Sequence, residues 1–82
     1  MNEYSFYAET QDDAAKATIL FQLLGYHFAT EALFKYRVDQ HWISVMNDGS
    51  AGFAEEPFHD ETHHLTLAQL EEMALTVRGN NS

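Results

Sequence analysis

Over Asn2–Glu9 apolar and polar residues alternate, with Tyr4, Phe6 and Ala8 on one face and Ser5, Tyr7 and Glu9 on the other, the period of a half-buried strand. The period then lengthens. Ala14, Ala17, Leu20, Phe21 and Leu24 recur at helical spacing, Ile19 and Leu23 widen the stripe, and a helix is predicted over Gln11–Leu24. Thr10 marks its start: the hydroxyl can take an orphan amide at Asp13, and the acids sit at the positive helix end. Gly25 marks its stop, because glycine accepts the left-handed conformation of a helix C-cap.

Between Tyr26 and Glu55 β-branched and aromatic residues with turn signals between them predict two or three antiparallel strands. Phe34, Tyr36 and Val38 alternate with Lys35, Arg37 and Asp39, and His41–Met46 forms the next run. Asn47-Asp48-Gly49 is a tight-turn signal before Ser50–Glu55, while Tyr26–Ala32 suits a loop or an early strand. Pro57 closes the region, lacking the amide that a central ladder needs. Thr66 as N-cap with Gln69 three residues on, and Leu65 paired with Leu70, form a capping box with a hydrophobic staple. The second helix therefore starts at Leu67, buries Leu67, Leu70, Met73, Ala74 and Val77, and stops at Gly79. The pattern predicts an α+β fold of order β-α-β-β(-β)-α, an antiparallel sheet with both helices packed on one face. One domain is expected over 1–79, with a frayed tail at 80–82.

Eighty-two residues leave room for one core, and 45% hydrophobic content is too high for a disordered acidic tail. Charge is distributed unevenly. The first 37 residues sum to −2, whereas residues 38–77 hold eight carboxylates and no lysine or arginine; Arg78 brings the total to −9. A one-signed field of this size repels phosphate and anionic lipid and attracts basic surfaces. The chain has no cysteine, hence no disulfide, thiolate metal site or redox chemistry, in keeping with a reducing cytoplasm. Met1–Ser5 has neither the basic nor the apolar region of a secretory signal, and no apolar run nears the ~20 residues of a membrane span. A cytoplasmic protein is expected.

Candidate chemistry is sparse. His59, His63 and His64, with Asp60 and Glu61 between them, form the one cluster suited to a transition metal, superficially like the zinc-protease helix motif. Asp60 stands where that motif needs glutamate, and the cap at Thr66 puts the cluster in a loop, so solvated loop histidines and no metal are expected. Asp48-Gly49-Ser50-Ala51-Gly52 opens like a calcium loop. Phe53 then replaces its required glycine and His59 its bidentate glutamate, which leaves a hairpin turn. Phosphate-binding glycine loops, nucleophile elbows and cysteine nucleophiles are absent, so no enzymatic activity, catalytic residue or cofactor is expected. Tyr7 and either Trp42 or the Ile43 and Val45 pair must leave the helix-covered face, which gives the sheet apolar residues on both sides. Base stacking on such a face needs cations for the nucleic-acid backbone, and the chain has only Lys16, Lys35, Arg37 and Arg78. Direct nucleic-acid binding is therefore not expected.

A short, acidic, cysteine-free chain with a dense carboxylate belt resembles the small inhibitors encoded by phages and mobile elements, including anti-CRISPR and nucleic-acid-mimic proteins. The resemblance is one of composition. It implies a non-enzymatic inhibitor that occupies a basic, nucleic-acid-binding surface of a host nuclease or defence complex. Asp48, Glu55, Glu56, Asp60, Glu61, Glu71 and Glu72 are the candidate acidic face for that contact. The alternative is an adaptor subunit that forms homodimers or other oligomers through an apolar sheet face at Tyr7 and Trp42.

Overall fold

The computed structural model, which describes residues 1–28 and 41–80 with side chains as far as Val77, has the α+β class the periodicity predicts, with two helices and a five-stranded sheet that includes one strand, just before the second helix, not predicted from the sequence. The elements are β1 (Tyr4–Tyr7), α1 (Gln11–Leu23), β2 (His27–Phe28), β3 (Trp42–Val45), β4 (Ser50–Ala54), β5 (His64–Leu65) and α2 (Leu67–Asn80). One 3-10 turn, Glu61–His63, precedes β5. The expected strand around Phe34, Tyr36 and Val38 lies outside the described residues.

Local chemistry explains each boundary. Thr10 Oγ1 accepts the Asp13 amide at 3.1 Å and starts α1. At the other end Gly25 takes φ +103°, its N–H donating to Gln22 O at 3.0 Å and that of Tyr26 to Phe21 O at 3.1 Å. These paired bonds make a Schellman cap, and the Phe21 and Tyr26 rings meet edge to face at 5.7 Å across it. In the β3–β4 hairpin the Gly49 amide donates to Met46 O at 3.0 Å and the Met46 amide to Ser50 O at 2.8 Å, with Gly49 at φ +93°. This is a three-residue hairpin loop whose last position needs glycine. At α2 Thr66 and Gln69 satisfy each other's amides reciprocally, at 2.8 and 3.2 Å. The helix continues through Gly79 to Asn80, one residue past its expected stop, because glycine permits a left-handed exit without enforcing one.

The sheet, in the order β2-β4-β3-β1-β5, is mixed rather than antiparallel as expected. β3 runs antiparallel to both β1 and β4, whereas β5 joins β1 and β2 joins β4 in parallel. Antiparallel pairing follows from short links, and the Asn47–Gly49 turn is the one short link among these strands. The chain reaches β2 only after α1, and β5 only after residues 55–63 have crossed the sheet, which returns both strands in the starting direction. Each is two residues long, so neither edge offers an extended template for further pairing.

Alternation assigns the faces. Phe6, Ile43 and Val45 point to the helix side and form one core with Ala8, Ala14, Ala17, Phe21, Tyr26 and Leu70. Thr18 lies in that layer with its hydroxyl donated to Ala14 O at 2.8 Å, which lets a polar residue be buried in a helix. Ile19 and Leu23, expected to widen the α1 stripe, are instead exposed. α2 and the sheet cover the arc from Ala14 to Phe21, and neither extends over these two positions.

Candidate interaction surface

Ser5, Tyr7, Trp42, Ser44 and Gly52 face away from the helices, in register across three strands. This outer face carries two features: a polar floor and a strap laid across it. Ser5 and Ser44 are 0% and 1% exposed, with their hydroxyls 3.1 Å apart. Residues 55–63 cross above them. The Phe58 amide donates to Ser44 Oγ at 3.3 Å, and His59 Nε2 donates to Val45 O at 3.0 Å. His63 Nδ1 then donates to Glu3 O at 3.0 Å, and His64 Nε2 to His59 O at 3.1 Å. A carbonyl can only accept, so these contacts set the tautomer of each ring when neutral. The strap thus leaves β4 beside Trp42, passes over Ser44, and reaches the Asn47–Gly49 end of the sheet before turning into β5.

This arrangement gives the histidines of the sequence cluster a structural task. They clasp the strap to the sheet, with the His59 and His63 rings 5.8 Å apart and His64 packed 4.8 Å from Trp42. Trp42 in turn packs 5.2 Å from Tyr7, and His41 closes the row 5.3 Å from Tyr7. Tyr7 is 46% exposed and Trp42 half-buried. Among the described residues no group of three or more histidine, aspartate or glutamate side chains is placed to hold a metal ion.

The candidate carboxylates are all exposed but divide between two layers. Glu55, Glu56, Asp60 and Glu61 lie on the strap of the outer layer, with Glu55 and Glu56 at its Trp42 end and Asp60 and Glu61 at its hairpin end, and Asp48 lies in the hairpin turn itself. Glu71 and Glu72 lie on α2, across the sheet from them. Between described residues the one contact within ion-pair distance is His63 Nε2 with Asp60 Oδ1 at 4.0 Å, an ion pair only when the imidazole is protonated. Two of these acids are stiffened by local bonds. The Ser50 amide and hydroxyl hold Asp48 below the usual aspartate range, at 2.9 and 2.7 Å. The hydroxyl of Thr62, with its amide, does the same for Asp60, which caps the 3-10 turn.

Phe58 completes the surface and was not singled out from the sequence. It is 62% exposed at the middle of the strap, between Glu55 and Glu56 on one side and Asp60 and Glu61 on the other. The signal was an aromatic set among four acids, just after the proline that ends the β region. A cleft of about 430 Å³ adjoins Tyr7 where β1 and β5 pass into the helices, lined by Phe6, Tyr7, Glu9, Asp13, Leu65, Thr66 and Leu67. Its apolar floor and two carboxylates suit a basic side chain.

Comparison with protein-family models, with curated proteins and with solved structures finds no match. Among the described residues no helix is long and apolar enough to cross a membrane.

Proposed function

We propose that this is a non-enzymatic binding protein whose outer layer seats on a basic, nucleic-acid-binding surface of a partner protein, with Phe58 as the anchor and Glu55, Glu56, Asp60 and Glu61 as its charged rim. The observation that carries this reading is the exposure of Phe58 between two carboxylate pairs, on a strap already hydrogen-bonded to the sheet. Aromatic anchors supply most of the affinity of an interface. The surrounding charge steers encounter and rejects acidic partners. A clasped strap loses little conformational freedom on binding, so more of the contact energy remains as affinity.

Arginines and lysines that neutralise phosphates are the natural counterpart of such a rim. Occupying them blocks nucleic acid, which is the mode of action implied by the compositional resemblance to small acidic inhibitors. Tyr7 and the carboxylates of Glu9 and Asp13 extend the surface at the Trp42 end, where a basic side chain can enter the adjoining cleft.

The test is capture from a bacterial lysate with the wild-type chain, a Phe58→Ala variant and a variant carrying lysine at Glu55, Glu56, Asp60 and Glu61. The expected result is a basic nucleic-acid-binding protein that is displaced by duplex DNA and by salt, and lost with both variants. Capture that survives both variants, or that DNA leaves untouched, would falsify the reading.

A further inference from the structure

Three of the large apolar side chains exposed among the described residues lie on the helix layer: Ile19 at 59%, Leu23 at 45% and Leu75 at 67%. They stand beside two shallow hollows between α1 and α2. One, of about 190 Å³, runs past Leu20, Leu23, Glu71 and Leu75; the other, of about 280 Å³, lies between Lys16, Ile19 and the same Glu71. Ridges and hollows on a single surface are what an isologous contact requires, because a two-fold axis sets each copy's ridge against the other's hollow.

Charge selects the occupant. From residue 14 of α1 and along α2 to Val77 the charged side chains are Lys16, Glu71 and Glu72, whereas the strap on the opposite layer carries Glu55, Glu56, Asp60 and Glu61 with no lysine or arginine, so a second copy meets less repulsion here than there. Lys16 and Glu71 border the same hollow, and a two-fold arrangement that crosses α1 of one copy over α2 of the other brings the lysine of each beside the α2 carboxylates of its mate. We infer that the α1–α2 layer is a self-association surface, covered by the same layer of a second copy. This contact lies across the sheet from the Phe58 surface and leaves it open.

The dimer is weak. α1 has 13 residues, a length of about 20 Å, and a face two helices wide offers on the order of 400 Å² per copy. The total of about 800 Å² falls below the range of stable complexes, about 1,200–2,000 Å². Because two like-charged copies must approach, screening favours the contact, the reverse of its effect on a basic partner.

Sedimentation equilibrium over a range of protein concentrations, at low and high salt, tests this. The expected result is a monomer–dimer equilibrium that strengthens with salt, with Ile19→Lys and Leu75→Lys each lowering the association constant at least about tenfold. Helical circular dichroism should be unchanged, both side chains being solvated. Lys16→Glu, at a solvated helix position, should weaken the dimer too and keeps the test open if an apolar replacement disturbs the fold. A protein that stays monomeric under all conditions, or a dimer indifferent to these three substitutions, overturns the inference. Partner capture uses the opposite layer and the opposite salt response, so either proposal can fail alone.

Discussion

On the proposed reading, Phe58 contributes to recognition while contributing little to the fold. Its ring is solvated, so Phe58→Ala should change stability by no more than about 0.5 kcal/mol. Partner affinity should fall by about 2 kcal/mol or more, roughly thirtyfold in Kd, as at an aromatic anchor. Denaturant titration and a binding isotherm measure the two separately. Ser44 has the opposite character. It is buried, pairs with the Ser5 hydroxyl and accepts the Phe58 amide. Ser44→Ala removes the acceptor of that part-buried amide and should cost about 1–3 kcal/mol, whereas Ser5→Ala should cost about 1 kcal/mol or less. Equal losses in urea melts would show that the strap is not tied down through Ser44. Asp48 and Asp60 carry a pH signature. Their folded-state values are depressed, so the stabilisation from their hydroxyl and amide bonds is present above the ordinary carboxylate range and disappears as pH falls through their own lower values. Carboxyl resonances followed by NMR should show both titrating below the ordinary aspartate value of about 3.9, and midpoints at or above it would contradict the bonding described.

At the scale of elements, both helices and the hairpin are held by caps and turns whose chemistry is local. Thr66→Ala breaks the reciprocal pair with Gln69 and should cost about 1 kcal/mol, with Thr10→Ala similar at α1. Gly49→Ala should cost more than about 1 kcal/mol, since φ +93° strains any residue with a Cβ and the new atom would lie 3.3 Å from Met1 Sδ. Thermal melts of the three variants rank these effects; a neutral Gly49→Ala would contradict the turn. Such features are legible because every participant lies within a few residues. The Thr66 and Gln69 pair, the Thr10 cap, the Gly25 stop and the Asn47–Gly49 turn could all be read from spacing. Of the two-residue strands, β5 could not, and β2 lies in the stretch read as either loop or early strand. Neither has enough length for a period, and each exists because a distant strand offers a pairing edge.

For the whole molecule, charge is the dominant property. Eleven carboxylates in the described part face solvent wholly or partly, against Lys16 as the one described lysine side chain. Self-repulsion on this scale loosens the compact state, and screening relieves it. Raising ionic strength from about 0.01 M to about 1 M shortens the Debye length from about 30 to about 3 Å, and should raise the melting temperature. A melting temperature that falls with salt would mean that attractive ion pairs outweigh the repulsion. The strap gathers four of the seven candidate acids, Asp48 lies in the hairpin turn at the end of the sheet, and Glu71 and Glu72 lie across the sheet on α2. The charge pattern does not single out Phe58, on which the proposed reading rests. An aromatic among acids is equally compatible with burial until the path of its segment is known.

The sequence by itself determined the α+β class, both helix starts, the hairpin and the sign of the field, because hydrophobic period, capping and net charge depend on neighbours or on sums. Only the tertiary structure decided that the sheet is mixed, that Ile19 and Leu23 stay exposed, and that three histidines clasp a strap instead of lying free in a loop. The clasp and the parallel β5 depend on where residues 55–63 travel from β4 to the β5 edge, and the exposure of Ile19 and Leu23 on how far α2 and the sheet reach over α1. Hydrogen bonds between residues as far apart as Glu3 and His63 set that path, and no local pattern encodes them.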